Sequence, residues 1–116
     1  MNKEELEKGM KLIKEISDLQ KKILEGNSIF NNHQRIIETT KRSYMSLIIV
    51  KKNSKGKLKY SNNEARQTRL HMLLIRDDKY KKNKRGLDMI ENEKEIRLID
   101  LERLRNKFEL FKLINN

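Results

Sequence analysis

Thirteen cationic side chains between residues 51 and 85 have the type and spacing for chemistry, and that chemistry is the neutralisation of phosphate. Lys51, Lys52, Lys55, Lys57 and Lys59 form one cluster, and Lys79, Lys81, Lys82, Lys84 and Arg85 form a second. Between them, Arg66, Arg69 and Arg76 are spaced three and seven residues apart, which places them on one face of a helix. The expected geometry is a cationic helix stripe between two mobile cationic patches. Glu64, Asp77 and Asp78 are the only acidic residues here, so this stretch carries +10 of the chain's net +11. A block this concentrated repels itself unless an anionic partner neutralises it. Tyr60 and Tyr80 border the stripe, where a ring can stack on an unpaired base. Tyr80 also falls seven residues after Leu73 and seven before Leu87, which is equally a packing position. Neither a zinc finger nor a turn-connected recognition helix accompanies the cations, so binding is expected to be largely independent of sequence.

Other chemistries find less to work with. The 116 residues include no Cys, which removes thiolate ligands, disulfides and cysteine nucleophiles together. His33 and His71 have no neighbouring donors of the kind a zinc site needs, so no metal and no cofactor is expected. The run Lys52-Asn-Ser-Lys-Gly-Lys57 lacks the glycine spacing that cradles nucleotide phosphates. Asp77 and Asp78 are adjacent, which turns their side chains apart on a helix, while Glu91 and Glu95 read as ion-pair partners on a solvated face. No catalytic residue is assigned, and the chain is not expected to be an enzyme.

The elements that must position the cations come from heptad spacing. Ile16, Ile23, Phe30, Ile37 and Tyr44 recur every seventh residue, and Leu12, Leu19, Gly26, His33, Thr40 and Leu47 make a second row. Two such rows form a coiled-coil seam and predict a helix from about Lys3 to Ile49, with Gly26-Asn27-Ser28 as its weak point. Toward the other end, Leu87, Leu101 and Phe108 share one row, interrupted by Lys94, and Ile90, Leu104 and Phe111 share another, interrupted by Arg97. Between the seams, Lys51 to Tyr60 reads as a connector. Ser61 to Glu64 fits a capping box opening a helix to about Arg76, and residues 79–86 read as a basic cluster ending at Gly86. The expected fold is all-α, a long helical hairpin or antiparallel coiled-coil-like bundle. It is organised as one elongated domain over residues 1–116, divided into 1–50, 51–60, 61–85 and 86–116. A short β-hairpin at 46–60 is the alternative for the connector. The heptads equally suit pairing between two chains, a homodimer. The longest apolar run, Leu47 to Val50, is too short to cross a membrane, and the absence of Cys suits the cytosol.

The run Tyr60-Ser-Asn-Asn-Glu-Ala-Arg66, then Asp77-Asp-Lys-Tyr80, then charged heptads to Phe108, resembles a class of small phage and prophage helical proteins. Their pattern of Lys-Asn-x-x-x-Arg, an apolar helix, Asp-x-x-Tyr and a long charged helix is matched by Asn62, Arg66, Asp77, Tyr80 and Arg105 to Phe108. Ser61 stands where that pattern has Lys, and the likeness covers Lys59 to Phe111. Such proteins are often encoded near recombination and single-strand-annealing functions, so the resemblance implies a mobile-element origin and a role around DNA metabolism; the expected location is the host cell cytosol. Three functions compete. One is a non-enzymatic protein binding nucleic acid, or an assembly containing it, through the basic middle. A second is a phage-encoded, anti-CRISPR-like inhibitor occupying the nucleic-acid groove of a host nuclease complex. The third is a structural coiled-coil adaptor.

Overall fold

Asn2 opens the first helix by a reciprocal cap. Its side-chain oxygen accepts the Glu5 N–H at 2.8 Å, and the Glu5 carboxylate accepts the Asn2 N–H at 3.2 Å. From there, in a computed structural model that describes residues 1–115, α1 runs over Lys3–Val50. A loop leads to α2 (Asn63–Leu74), and a tight turn leads to α3 (Asp78–Ile114). The fold is all-α, as the periodicity predicts.

The chain forms two compact units: unit 1, Met1–Ile29 with the chain from Met89 onward, and unit 2, Phe30–Asp88. In unit 1, α1 and α3 run antiparallel, with Gly9 against Phe111 and Gly26 against Arg97. Leu12, Ile16, Leu19 and Ile23 are half-buried in this seam opposite Leu104, Phe108 and Phe111, and Leu101 is buried. Lys94, expected in the seam, is exposed; Glu93 and Arg97 take the half-buried positions and pair at 3.7 Å. Gly26 does not break α1, because it is where Arg97 crosses. The guanidinium lies 3.4 Å from the place a Cβ would occupy, so the absent side chain makes room for an opposing one.

Unit 2 adds α2 to the antiparallel pair. Ile48 on α1 and Leu70 and Leu74 on α2 form its core cluster, and Tyr44, Met45, Tyr60, Leu73 and Tyr80 pack against it. Ile37 and Leu87 are buried as well. Leu47, expected in the second row, is 68% exposed, whereas Ile48 is 3% exposed. A straight helix turns every 3.6 residues, so a strict seven-residue row drifts by about 20° per heptad and the buried face moves one position along.

Three local expectations are corrected. Residues 46–50 stay in α1, with the Ser46 hydroxyl donating to the Arg42 carbonyl at 2.9 Å, so no hairpin spans 46–60. What remains of it is one antiparallel bridge, Lys52 to Leu58. The cap of α2 is Asn62 rather than Ser61: its backbone is extended, and its side-chain oxygen accepts the Ala65 N–H at 2.8 Å. Finally, residues 79–86 are helical and not a separate cluster ending in a turn, because Asp77 caps α3 by accepting the Tyr80 N–H at 2.7 Å.

Candidate nucleic-acid interface

All thirteen cations singled out from the sequence fall in unit 2, but on five different supports. Lys51 and Lys52 follow directly on the last residue of α1. Positive charge there opposes the negative end of the helix dipole and suits the site. Lys55, Lys57 and Lys59 sit on a built loop rather than a mobile one. The Asn53 side chain accepts the N–H groups of Lys55 and Lys57 at 2.9 and 3.1 Å, and the Lys59 N–H donates to the Lys51 carbonyl at 2.8 Å. Gly56 turns the chain with φ +77, a conformation that side-chain-bearing residues rarely adopt.

Arg66 and Arg69 lie on α2, as expected. The Arg66 Nε–H donates to the Tyr60 carbonyl at 3.1 Å, so this guanidinium partly serves to hold the loop onto α2. Arg69 and Lys51 line one small concavity with Tyr44, Leu47, Ile48, Tyr60 and Leu73. Arg76 does not extend the α2 stripe, because α2 ends at Leu74, Ile75 caps it and Arg76 lies in the turn. Lys79, Lys81, Lys82, Lys84 and Arg85 occupy the first turns of α3. Two of them are paired, Lys81 with Asp78 at 3.4 Å and Lys84 with Asp88 at 3.7 Å. Tyr60 and Tyr80, considered for base stacking, pack on the Ile48–Leu70–Leu74 cluster, and the Lys59 ammonium lies 5.8 Å from the Tyr60 ring centre.

The unit is pinned by two polar contacts that heptad spacing does not reveal. The Tyr44 hydroxyl donates to the Asp77 carboxylate, joining the end of α1 to the cap of α3. That bond holds the Tyr44 hydroxyl above its ordinary range. It also holds Asp77 below the usual carboxylate range, helped by the Tyr80 N–H and by Lys79 nearby. Further along the seam, Asn83 is 7% exposed. Its amide donates to the Lys79 carbonyl at 2.8 Å, which leaves its oxygen to accept from His33 Nδ1 at 2.8 Å. His33 is therefore a seam residue, as its heptad position suggests. Gly86 lies under its ring, where a Cβ would come within 2.6 Å of Nε2.

Lys41 and Arg42, with Arg35, lie among the seam residues of α1, outside the dense basic block, and so carry no clustering signal in the sequence. They belong to unit 2 and bring its count to 16 basic against five acidic residues, +11, while unit 1 holds 12 of each and is neutral. Among the described residues no cluster of His, Cys, Asp and Glu fit to hold a metal forms, and no helix is long and apolar enough to cross a membrane. Comparison with protein-family models, with curated proteins and with solved structures finds no match for this chain.

Proposed function

We propose that the chain is a non-enzymatic protein of phage or mobile-element type that binds nucleic acid through unit 2, largely without regard to sequence. One observation carries the reading: the whole of the net charge lies on unit 2, and three of its five carboxylates already have partners. Asp77 is taken by Tyr44 and the Tyr80 N–H, Asp78 by Lys81, and Asp88 by Lys84. Among the described residues, Lys51, Lys52, Lys55, Lys57, Lys59 and Arg69 form no ion pair. Phosphates supply the missing counter-charge, and release of their condensed cations drives binding. Lys79, Lys81 and Lys82 also crowd the positive end of α3, an arrangement that costs stability until an anion arrives.

Fluorescence anisotropy with labelled single-stranded and duplex DNA and RNA, titrated across salt, tests this. With six to ten phosphates engaged, affinity falls by about 10³–10⁵ between 50 and 200 mM salt. Lys57→Glu/Lys59→Glu weakens binding to every sequence and flattens that slope. A single-strand preference supports the recombination role. Binding already lost by 100 mM salt sinks the proposal and moves the search to host nuclease complexes, where a groove-occupying inhibitor would be captured.

A further inference from the structure

On α2, Ala65, Arg69 and Met72 follow one another at spacings of four and three, so they share one face of the helix. Leu70 and Leu74, which hold α2 to Ile48, lie on the opposite face. Met72 is 40% exposed, and Arg69 is half-buried yet forms no ion pair among the described residues. A guanidinium partly withdrawn from water without a counter-charge favours an anion beside it. Arg66, by contrast, already donates to the Tyr60 carbonyl.

Tyr60 and Arg69 together line two adjoining concavities of unit 2. The smaller, of about 190 Å³, is completed by Tyr44, Leu47, Leu73 and Lys51. The larger, of about 550 Å³, runs over Ala65 and Met72, with Glu64 on its wall. Both far exceed the share of a single water, about 30 Å³. Phosphate alone does not account for such walls. A duplex presents its phosphates and base edges and keeps the base faces stacked inside, whereas a single strand presents phosphates and unstacked base faces together. Apolar and aromatic side chains meet the base faces here, and unpaired cations meet the phosphates. Arg69, common to both walls, is placed for the phosphate that links two successive nucleotides, and Lys51 for the next one along. Glu64 marks the larger concavity for a base, because a carboxylate repels phosphate and accepts a hydrogen bond from a base amino group. Tyr80 lines neither concavity, so of the two tyrosines bordering the basic stretch only Tyr60 is placed to meet a base.

We infer that unit 2 binds nucleic acid as a single strand, with two successive unstacked bases lodged one in each of the concavities that share Tyr60 and Arg69. The inference rests on the nucleic-acid reading of unit 2 and adds the form of the ligand and the residues that select it. Anisotropy at 150 mM salt with three labelled probes tests it: a DNA strand of about 12 nucleotides, the same strand with abasic sugars throughout, and the matching duplex. The intact strand should bind about tenfold or more tighter than the abasic strand, which has the same phosphates, and tighter than the duplex. Tyr60→Leu keeps an apolar side chain against the core cluster; it should weaken the intact strand about fivefold or more and leave the abasic strand within about twofold. Met72→Glu should weaken the intact strand about fivefold more than Gln67→Glu, which adds the same charge at an exposed position of α2 outside both concavities. Both glutamate positions are exposed, so the helical circular dichroism should not change. Equal affinity for intact and abasic strands overturns the inference and leaves the nucleic-acid reading standing. A preference for duplex does the same, as does a Met72→Glu variant no weaker than Gln67→Glu. Polyglutamate that displaces the intact strand as well as unlabelled strand does overturns it too, since charge alone would then suffice. Failure of all three probes to bind overturns both readings.

Discussion

Tyr44 and Asp77 form a pair whose protonation is coupled to folding. Because the folded state holds Asp77 below the usual carboxylate range, the stabilisation is present above about pH 4 and is lost as the pH falls through the lowered value. Tyr44 is held above its ordinary range, so its contribution is complete below about pH 10 and is lost as the pH rises beyond it. Tyr44→Phe should therefore lower the urea midpoint at neutral pH and flatten the pH dependence at both extremes; superimposable profiles for the two proteins would refute the coupling. The helical glycines give opposite predictions from one observation. Gly26→Ala meets Arg97 at an ordinary contact distance and should stabilise by about 0.5–1 kcal/mol, the usual helix gain. Gly86→Ala drives a methyl into a His33 ring that Asn83 holds in place. It should destabilise by about 1–3 kcal/mol before that helix gain is counted, also read from urea midpoints.

The elements differ in what holds them. With 12 residues, α2 is too short to persist alone, so its existence depends on Leu70 and Leu74 meeting Ile48. Leu74→Ala should cost about 2–5 kcal/mol in chemical denaturation and release the α2 amides to rapid hydrogen exchange while those in the middle of α1 stay protected. In unit 1, Leu101 is the one buried large apolar side chain among the described residues. Leu101→Asp buries an unpaired carboxylate and should cost several kcal/mol; an unchanged thermal transition would remove Leu101 from the core. The cap residues, Asn2, Asn62 and Asp77, set where each helix begins, each by a side-chain oxygen accepting an N–H three residues on.

At the scale of the whole chain, net charge is segregated: +11 on unit 2 and zero on unit 1. Like charges this dense oppose folding of the unit that carries them, and screening relieves them, since the Debye length shrinks from about 10 Å at 0.1 M to about 3 Å at 1 M salt. The melting temperature should consequently rise between 20 and 500 mM NaCl. A polyanion should raise it further at low salt by binding the folded form alone. A melting temperature indifferent to both would mean that the lysines are spaced widely enough in solution for their repulsion to be negligible.

Helix content, the start of α1, the two seams and the basic block were legible in the sequence because each depends on residues within a turn or two of one another, or on composition. The cap of α2 was legible for the same reason, to within one residue. What the tertiary structure decided lies between residues distant in the chain: Tyr44 with Asp77, 33 positions apart, and His33 with Asn83, 50 apart. Only packing shows that Gly26 admits Arg97 instead of breaking α1, that Tyr60 and Tyr80 belong to a core cluster, and that Ile48 takes the buried place Leu47 was expected to fill. A heptad pattern states which residues of a helix share a face; which of two neighbouring faces is covered depends on the surface that meets it.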